Sequence, residues 1–167
     1  MRKRILVADD SELIRQQVRQ ILESDQQIEV CAEAQDGAEA VRMARQYRPD
    51  LVLMDVFMLE MSGLEALCEI KRTEPNLPVV VFTIDDSADL QVESWSAGAD
   101  AFVLKAKGSV ELLPALSHKD PSPRFAPAIS ASFSTVRQFR PVLTVASFES
   151  KYAFDSFERP TPFGSHK

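Results

Sequence analysis

In Ile5-Leu6-Val7-Ala8-Asp9-Asp10 a run of apolar residues too short for a helix stops abruptly at two carboxylates, which marks a buried strand and its end. Short apolar runs recur at Ile28–Ala34, Leu51–Met54, Val79–Phe82 and Ala101–Leu104, and with Arg4–Ala8 they make five strand candidates. Helical stripes separate them: Ile14, Val18, Ile21 and Leu22 in the first, Ala40, Val41, Ala44 and Tyr47 in the second, Leu64, Leu67 and Cys68 in the third. A fourth helix is expected from Ser87 to Ala97, with Ala88, Val92 and Trp95 facing inward and Gly98 in the left-handed conformation that ends it. A fifth is expected from Ser109, short or kinked because Pro114 lacks the N–H that a helix interior uses. Alternation of this kind predicts an α/β, doubly wound, parallel sheet with helices on both faces.

The 167 residues suit one domain with an appendage. Composition changes after Ser117, beyond which lie seven of the ten Phe and six of the ten Pro. A boundary near Lys119 is expected, giving a domain over 1–119 and a Ser/Pro/Phe-rich tail over 120–167 whose prolines interrupt every longer element, so that it is read as irregular or disordered. Residues 1–116 carry 21 acidic and 12 basic side chains, net −9, against 4 and 7, net +3, in the remainder. The formal net charge of −6 favours solubility over nonspecific attraction to nucleic acid or anionic membrane, and the tail shows no pair of helices joined by a short turn, so direct DNA reading is unsupported. Cys31 and Cys68 read as small buried hydrophobes, with no disulfide or thiolate metal site. The apolar run after Met1-Arg2-Lys3-Arg4 is too short for a signal peptide or membrane span, which predicts a cytoplasmic protein.

In a doubly wound sheet, ligands collect outside the carboxyl ends of the strands. Asp9 and Asp10 end the first strand, Asp55 the third, Thr83 the fourth and Lys105 the fifth. Converging carboxylates repel one another unless a cation lies among them, and an all-oxygen donor set suits Mg²⁺ better than zinc. A carboxylate attacking phosphorus meets the same repulsion, which a divalent cation offsets. Lys105 as a point charge and Thr83 as a hydroxyl donor would then hold the phosphoryl oxygens of an acyl phosphate on Asp55.

These segments together, Ile5–Asp10, Leu51–Asp55 with Met58, Met61 and Gly63, Phe82-Thr83, and Gly98-Ala99-Asp100-Ala101-Phe102-Val103-Leu104-Lys105, resemble the response-regulator receiver family in order and spacing over about 115 residues. The resemblance implies strand order 2-1-3-4-5 and a two-component response regulator whose Asp55 accepts a phosphoryl group from a histidine kinase or phosphotransfer protein. It implies that Asp10 binds Mg²⁺ directly, Asp9 largely through water and Phe57 through its carbonyl. Thr83 and Phe102 would be the switch pair, presenting a face of fourth helix, fifth strand and fifth helix to a second copy or an output protein. It also implies a signalling phosphoacceptor whose only catalysis is its own phosphotransfer and dephosphorylation, so not an enzyme in the usual sense. Leu59 stands where the family usually has Pro, bulky Ile84 follows the switch hydroxyl, and Ala106 replaces a frequent cis proline, so a trans Lys105–Ala106 bond is expected.

Plainer readings compete residue by residue. Asp9 with Glu12 fits a helix-capping pattern, Thr83 fits an ordinary strand residue, and Phe102 fits core packing. Asp85-Asp86 fits a solvated helix entry, and His118 and His166 have no ligand-spaced partner. As rival functions, an unphosphorylated interaction module would use the same fold. An aspartate-nucleophile phosphohydrolase resembles others of its kind in having two aspartates two residues apart on the first strand, where this chain has the adjacent Asp9-Asp10. A flavodoxin-like carrier would need a phosphate cradle where Asp9-Asp10-Ser11-Glu12 repels phosphate.

Overall fold

The computed structural model describes residues 1–117. The expected boundary at Lys119 and the tail lie outside them. The elements run β1 (Lys3–Ala8), α1 (Glu12–Glu23), β2 (Ile28–Ala34), α2 (Gly37–Tyr47), β3 (Leu51–Met54), α3 (Gly63–Thr73), β4 (Val79–Thr83), α4 (Ala88–Ala97), β5 (Ala101–Leu104) and α5 (Gly108–Ser117), with a 3₁₀ turn over Lys105–Lys107. The five strands are all parallel and lie in the order β2-β1-β3-β4-β5.

The order explains which helix covers which face. Crossovers between parallel strands are right-handed, so a chain that steps from β1 out to β2 and then back past β1 to β3 must change faces. Accordingly Ile5, Val7, Leu51, Leu53, Val80 and Phe82 pack with Val18 and Leu22 of α1 and Leu112 and Leu116 of α5. Leu6, Ala8, Val52, Met54, Val79 and Val81 pack on the other side with Ala40, Val41 and Ala44 of α2, Ala66, Leu67 and Ile70 of α3, and Leu90 of α4. Because side chains alternate across a strand, β1 and β3 feed both cores and read as unbroken apolar runs. Truncating a fully buried residue such as Leu53 or Leu67 to Ala should cost about 2–5 kcal/mol.

Four helix starts are capped by side chains. Ser11, Asp36, Ser62 and Ser87 accept from the backbone N–H three residues on, and Ser62 with Glu65 forms a reciprocal capping box. Gly98 closes α4 at φ 100°, as expected. At Gly63 the constraint is space, since a Cβ there would stand 1.8 Å from the Asp55 carbonyl oxygen.

Three expectations are corrected. The inward face of α4 is Leu90 and Ser94, while Ala88 and Val92 are exposed and Trp95 is half-buried. Ser94 is tolerated inside because its hydroxyl donates to the Leu90 carbonyl at 2.7 Å, and that places the buried stripe away from the more apolar residues. Tyr47, in the last turn of α2, projects beyond its stripe into solvent. Cys68 is exposed, because α3 turns Ala66, Leu67 and Ile70 inward, and Cys31 is half-buried at an irregularity in the β1–β2 pairing, its thiol donating to the Ile5 carbonyl. Pro114 lies within α5, which continues to the end of the described residues.

Candidate functional site

The carboxyl ends of β1, β3, β4 and β5 deliver the site. Asp9 and Asp55 follow directly on the buried strands β1 and β3, and both are nearly inaccessible, at 2% and 4% exposure. Their backbones continue the sheet: Asp9 N donates to Ala34 O at 3.1 Å and Asp55 N to Ala8 O at 2.8 Å. Asp10 is exposed, and carboxylate oxygens of Asp9, Asp10 and Asp55 lie within 4.8 Å of one another.

Lys105 enters from β5 and places its ammonium 2.7 Å from Asp9 Oδ2 and 2.8 Å from Asp55 Oδ2. The other oxygens are held by main chain, Asp9 Oδ1 accepting from Ser11 N at 2.9 Å and Asp55 Oδ1 from Val56 N at 2.8 Å. Asp9 therefore does not cap α1; Ser11 does, and the Asp9 carboxylate turns into the site. No cis peptide occurs among the described residues, so Lys105–Ala106 is trans, and the chain passes straight into the 3₁₀ turn.

Burial is the largest influence on Asp55 and pushes its carboxyl above the ordinary carboxylate range; the charge of Asp9 adds to this, and the hydrogen bond and charge of Lys105 oppose it. For Lys105, burial works against the ammonium, but bonds to Asp55 and Asp9 outweigh it and the net shift is upward. The balance differs because Lys105 has two anionic partners to offset its burial, whereas Asp55 shares Lys105 with Asp9 and its burial prevails.

Thr83 ends β4 fully buried, its hydroxyl accepting from Asp85 N at 3.4 Å. Phe102 is half-buried on β5, in register with Val81, two residues before Thr83. Val81 and Thr83 point to the same side of the sheet, so Thr83 and Phe102 share the face covered by α3 and α4. The Phe57 and Leu59 side chains are exposed on the loop after Asp55, where Glu60 takes a left-handed φ of 64°. Ile84 stands out in solvent.

The donor set fits a hard divalent cation: three carboxylates converge, and among the described residues buried Asp9 Oδ2 meets only the Lys105 ammonium. Two arrangements escaped the sequence reading. Arg15 donates from Nη1 to the Asp9 carbonyl at 2.7 Å, and at the far end of the sheet Lys71 pairs with Asp100 at 2.7 Å while Asp100 also accepts from Val79 N. In the sequence Arg15 is an ordinary helix cation, and Asp100 lies in the Gly98–Lys105 run as one more acidic residue before a strand.

The family model described as Response regulator receiver domain matches residues 5–117. The chain belongs to that family. Chemotaxis protein CheY of Halobacterium salinarum is similar to this receiver domain at 36% identity over 117 residues, 70% of this chain and 96% of the relative. The protein-glutamate methylesterase/protein-glutamine glutaminase of Pyrococcus horikoshii is 38% identical over 111 residues, 65% of this chain but 30% of that protein, so the chain spans under a third of the length of that relative. A two-component response regulator of the LuxR family from Aurantimonas sp. SI85-9A1 superposes with a TM-score of 0.67 at 30% identity, covering 70% of this chain and 83% of the other. Receiver domains thus occur in signalling proteins and joined to an enzyme. Among the described residues no helix is long and apolar enough to cross a membrane.

Proposed function

We propose that this receiver domain takes a phosphoryl group on Asp55 from a phosphohistidine of a kinase or phosphotransfer protein in the cytoplasm, and relays it as a conformational change. The observation that carries the reading is the Lys105 ammonium bridging two buried carboxylates, Asp9 and Asp55, from separate strand ends. In the transfer an Asp55 oxygen forms the new P–O bond, the P–N bond to the donor imidazole breaks, and the imidazole keeps that electron pair. Asp10 and Asp55, with Asp9 through water and the Phe57 carbonyl, would hold Mg²⁺, which when bound supplies the positive charge that lets two anionic groups approach.

Lys105 exchanges part of its contact with Asp55 for a phosphoryl oxygen, so its charge stays paired. Thr83 turns its hydroxyl to donate to another oxygen, and Phe102 fills the space on the face the two share. A charge-assisted hydrogen bond present in one state only, worth ~1.5–3 kcal/mol, shifts such an equilibrium by more than tenfold. The readout surface is the α4–β5–α5 face, where Val92 and Val110 are exposed, and its occupant is a second copy or an output protein. Beyond its own phosphorylation and dephosphorylation, the domain needs no catalytic activity for this role. Incubation with acetyl phosphate and Mg²⁺, borohydride trapping and mass spectrometry should place the label on Asp55 alone. Label elsewhere, or undiminished label in Asp55→Asn, refutes the assignment.

A further inference from the structure

Asp10 differs from its neighbours in how it is held. Asp9 is tied at every polar atom: its N–H donates to Ala34, its two carboxylate oxygens meet Ser11 N and Lys105, and its carbonyl accepts from Arg15 Nη1 at 2.7 Å. The Asp10 carboxylate has no hydrogen bond or ion pair among the described residues and is exposed to solvent. Among the described residues only its backbone places it, beginning with the Asp9–Asp10 peptide plane that fixes the Cα–Cβ direction and whose carbonyl oxygen Arg15 grips.

Arg15 is itself fixed. Its side chain is 13% exposed, and its Nε lies 3.2 Å from Glu33 Oε2 at the end of β2. Glu33 is held from its other oxygen by Arg19, with Nε at 2.8 Å and Nη2 at 2.5 Å. The chain of contacts Arg19–Glu33–Arg15 thus braces one guanidinium against the edge strand and aims it at a single carbonyl.

We infer that Arg15 is a positioning residue for the cation site, orienting the Asp9–Asp10 peptide so that the Asp10 carboxylate meets a divalent cation. The inference rests on the proposed function in taking Asp10 as a Mg²⁺ ligand. Its sign sets it apart from simple electrostatics. Removing a positive charge near an acidic site makes a cation bind more tightly by Coulomb's law, whereas loss of a ligand-orienting contact weakens binding about tenfold.

Titration calorimetry of the full chain with MgCl₂ tests it, using wild type, Arg15→Ala and Arg19→Ala, with circular dichroism confirming that each is folded. Arg15→Ala should bind about tenfold more weakly. Arg19→Ala, which loosens Glu33 but keeps the Arg15 guanidinium and its bond to the Asp9 carbonyl, should lose less than Arg15→Ala. Equal or tighter binding by Arg15→Ala overturns the inference, as does a loss in Arg19→Ala larger than that in Arg15→Ala. If Arg15→Ala does not fold, Arg15→Met, which keeps the apolar stem but has no donor for the Asp9 carbonyl, takes its place under the same criterion. A folded wild type that binds no Mg²⁺ overturns the proposed function itself, a separate outcome.

Discussion

Replacing Lys105 by Met removes the ammonium and keeps most of the stem, leaving Asp9 and Asp55 side by side at 2% and 4% exposure with no cation. Breaking a buried ion pair in this way costs about 3–5 kcal/mol. The site has an escape, however, because one carboxyl can take up a proton. With an ordinary value of 3.8 for Asp55, holding that proton costs about 1.4 kcal/mol per pH unit above it, or about 4 kcal/mol at pH 7 and about 1.6 kcal/mol at pH 5. A raised carboxyl pKa means that the folded state binds more protons than the unfolded one, so stability falls as pH rises from about 4 and levels off only past the folded pKa. Wild type has the same sign on a gentler slope, since Lys105 opposes the upward shift of Asp55. Urea unfolding of both proteins in EDTA between pH 4.5 and 7.5 should therefore show a gap of up to about 4 kcal/mol at pH 7 that closes by more than half at pH 5. Adding Asp55→Asn to Lys105→Met should restore most of the loss at pH 7. A gap that does not change with pH, or a double variant no more stable than Lys105→Met, refutes the reasoning.

Asp55→Asn alone should raise the thermal midpoint at pH 7 in EDTA, the gain shrinking as pH falls toward 4, because the charge it removes is one that burial disfavours. Gly63→Ala drives a methyl to within 1.8 Å of the Asp55 carbonyl oxygen, so the loop must move; a midpoint lowered by more than about 5 °C and loss of Mg²⁺ binding are expected, and a wild-type melting curve would show the loop to be pliable. Lys71→Met strips Asp100 of its cation while its bond to Val79 N remains, and as both side chains keep some water contact the cost should be about 1–2 kcal/mol by urea unfolding, with faster hydrogen exchange at Val79. A chain ending at Lys119 should keep the melting midpoint and labelling rate of the full chain; loss of either would make residues 120–167 part of the folded unit.

What was legible in the sequence follows from how strictly each position is constrained. β1 and β3 are covered on both faces, so every residue from Ile5 to Ala8 and from Leu51 to Met54 must be apolar, and the first charge after the run marks where the strand leaves the core. That is why Asp9 and Asp55 were readable as strand ends; Lys105 closes the shorter, partly buried run of β5, and the three meet in the structure. A surface helix is constrained along one stripe only, and there the reading was weaker. On α4 a buried Ser94, satisfied by its own helix, removed the apolar signal from the true inner face, while Val92 supplied one on the outside. Arg15 lay beyond any pattern of residue types for a different reason. Its partner in the site is a main-chain carbonyl, and every residue carries one, so no sequence feature distinguishes the acceptor; only the fold, by bringing the end of β1 under α1, selects Asp9 for it.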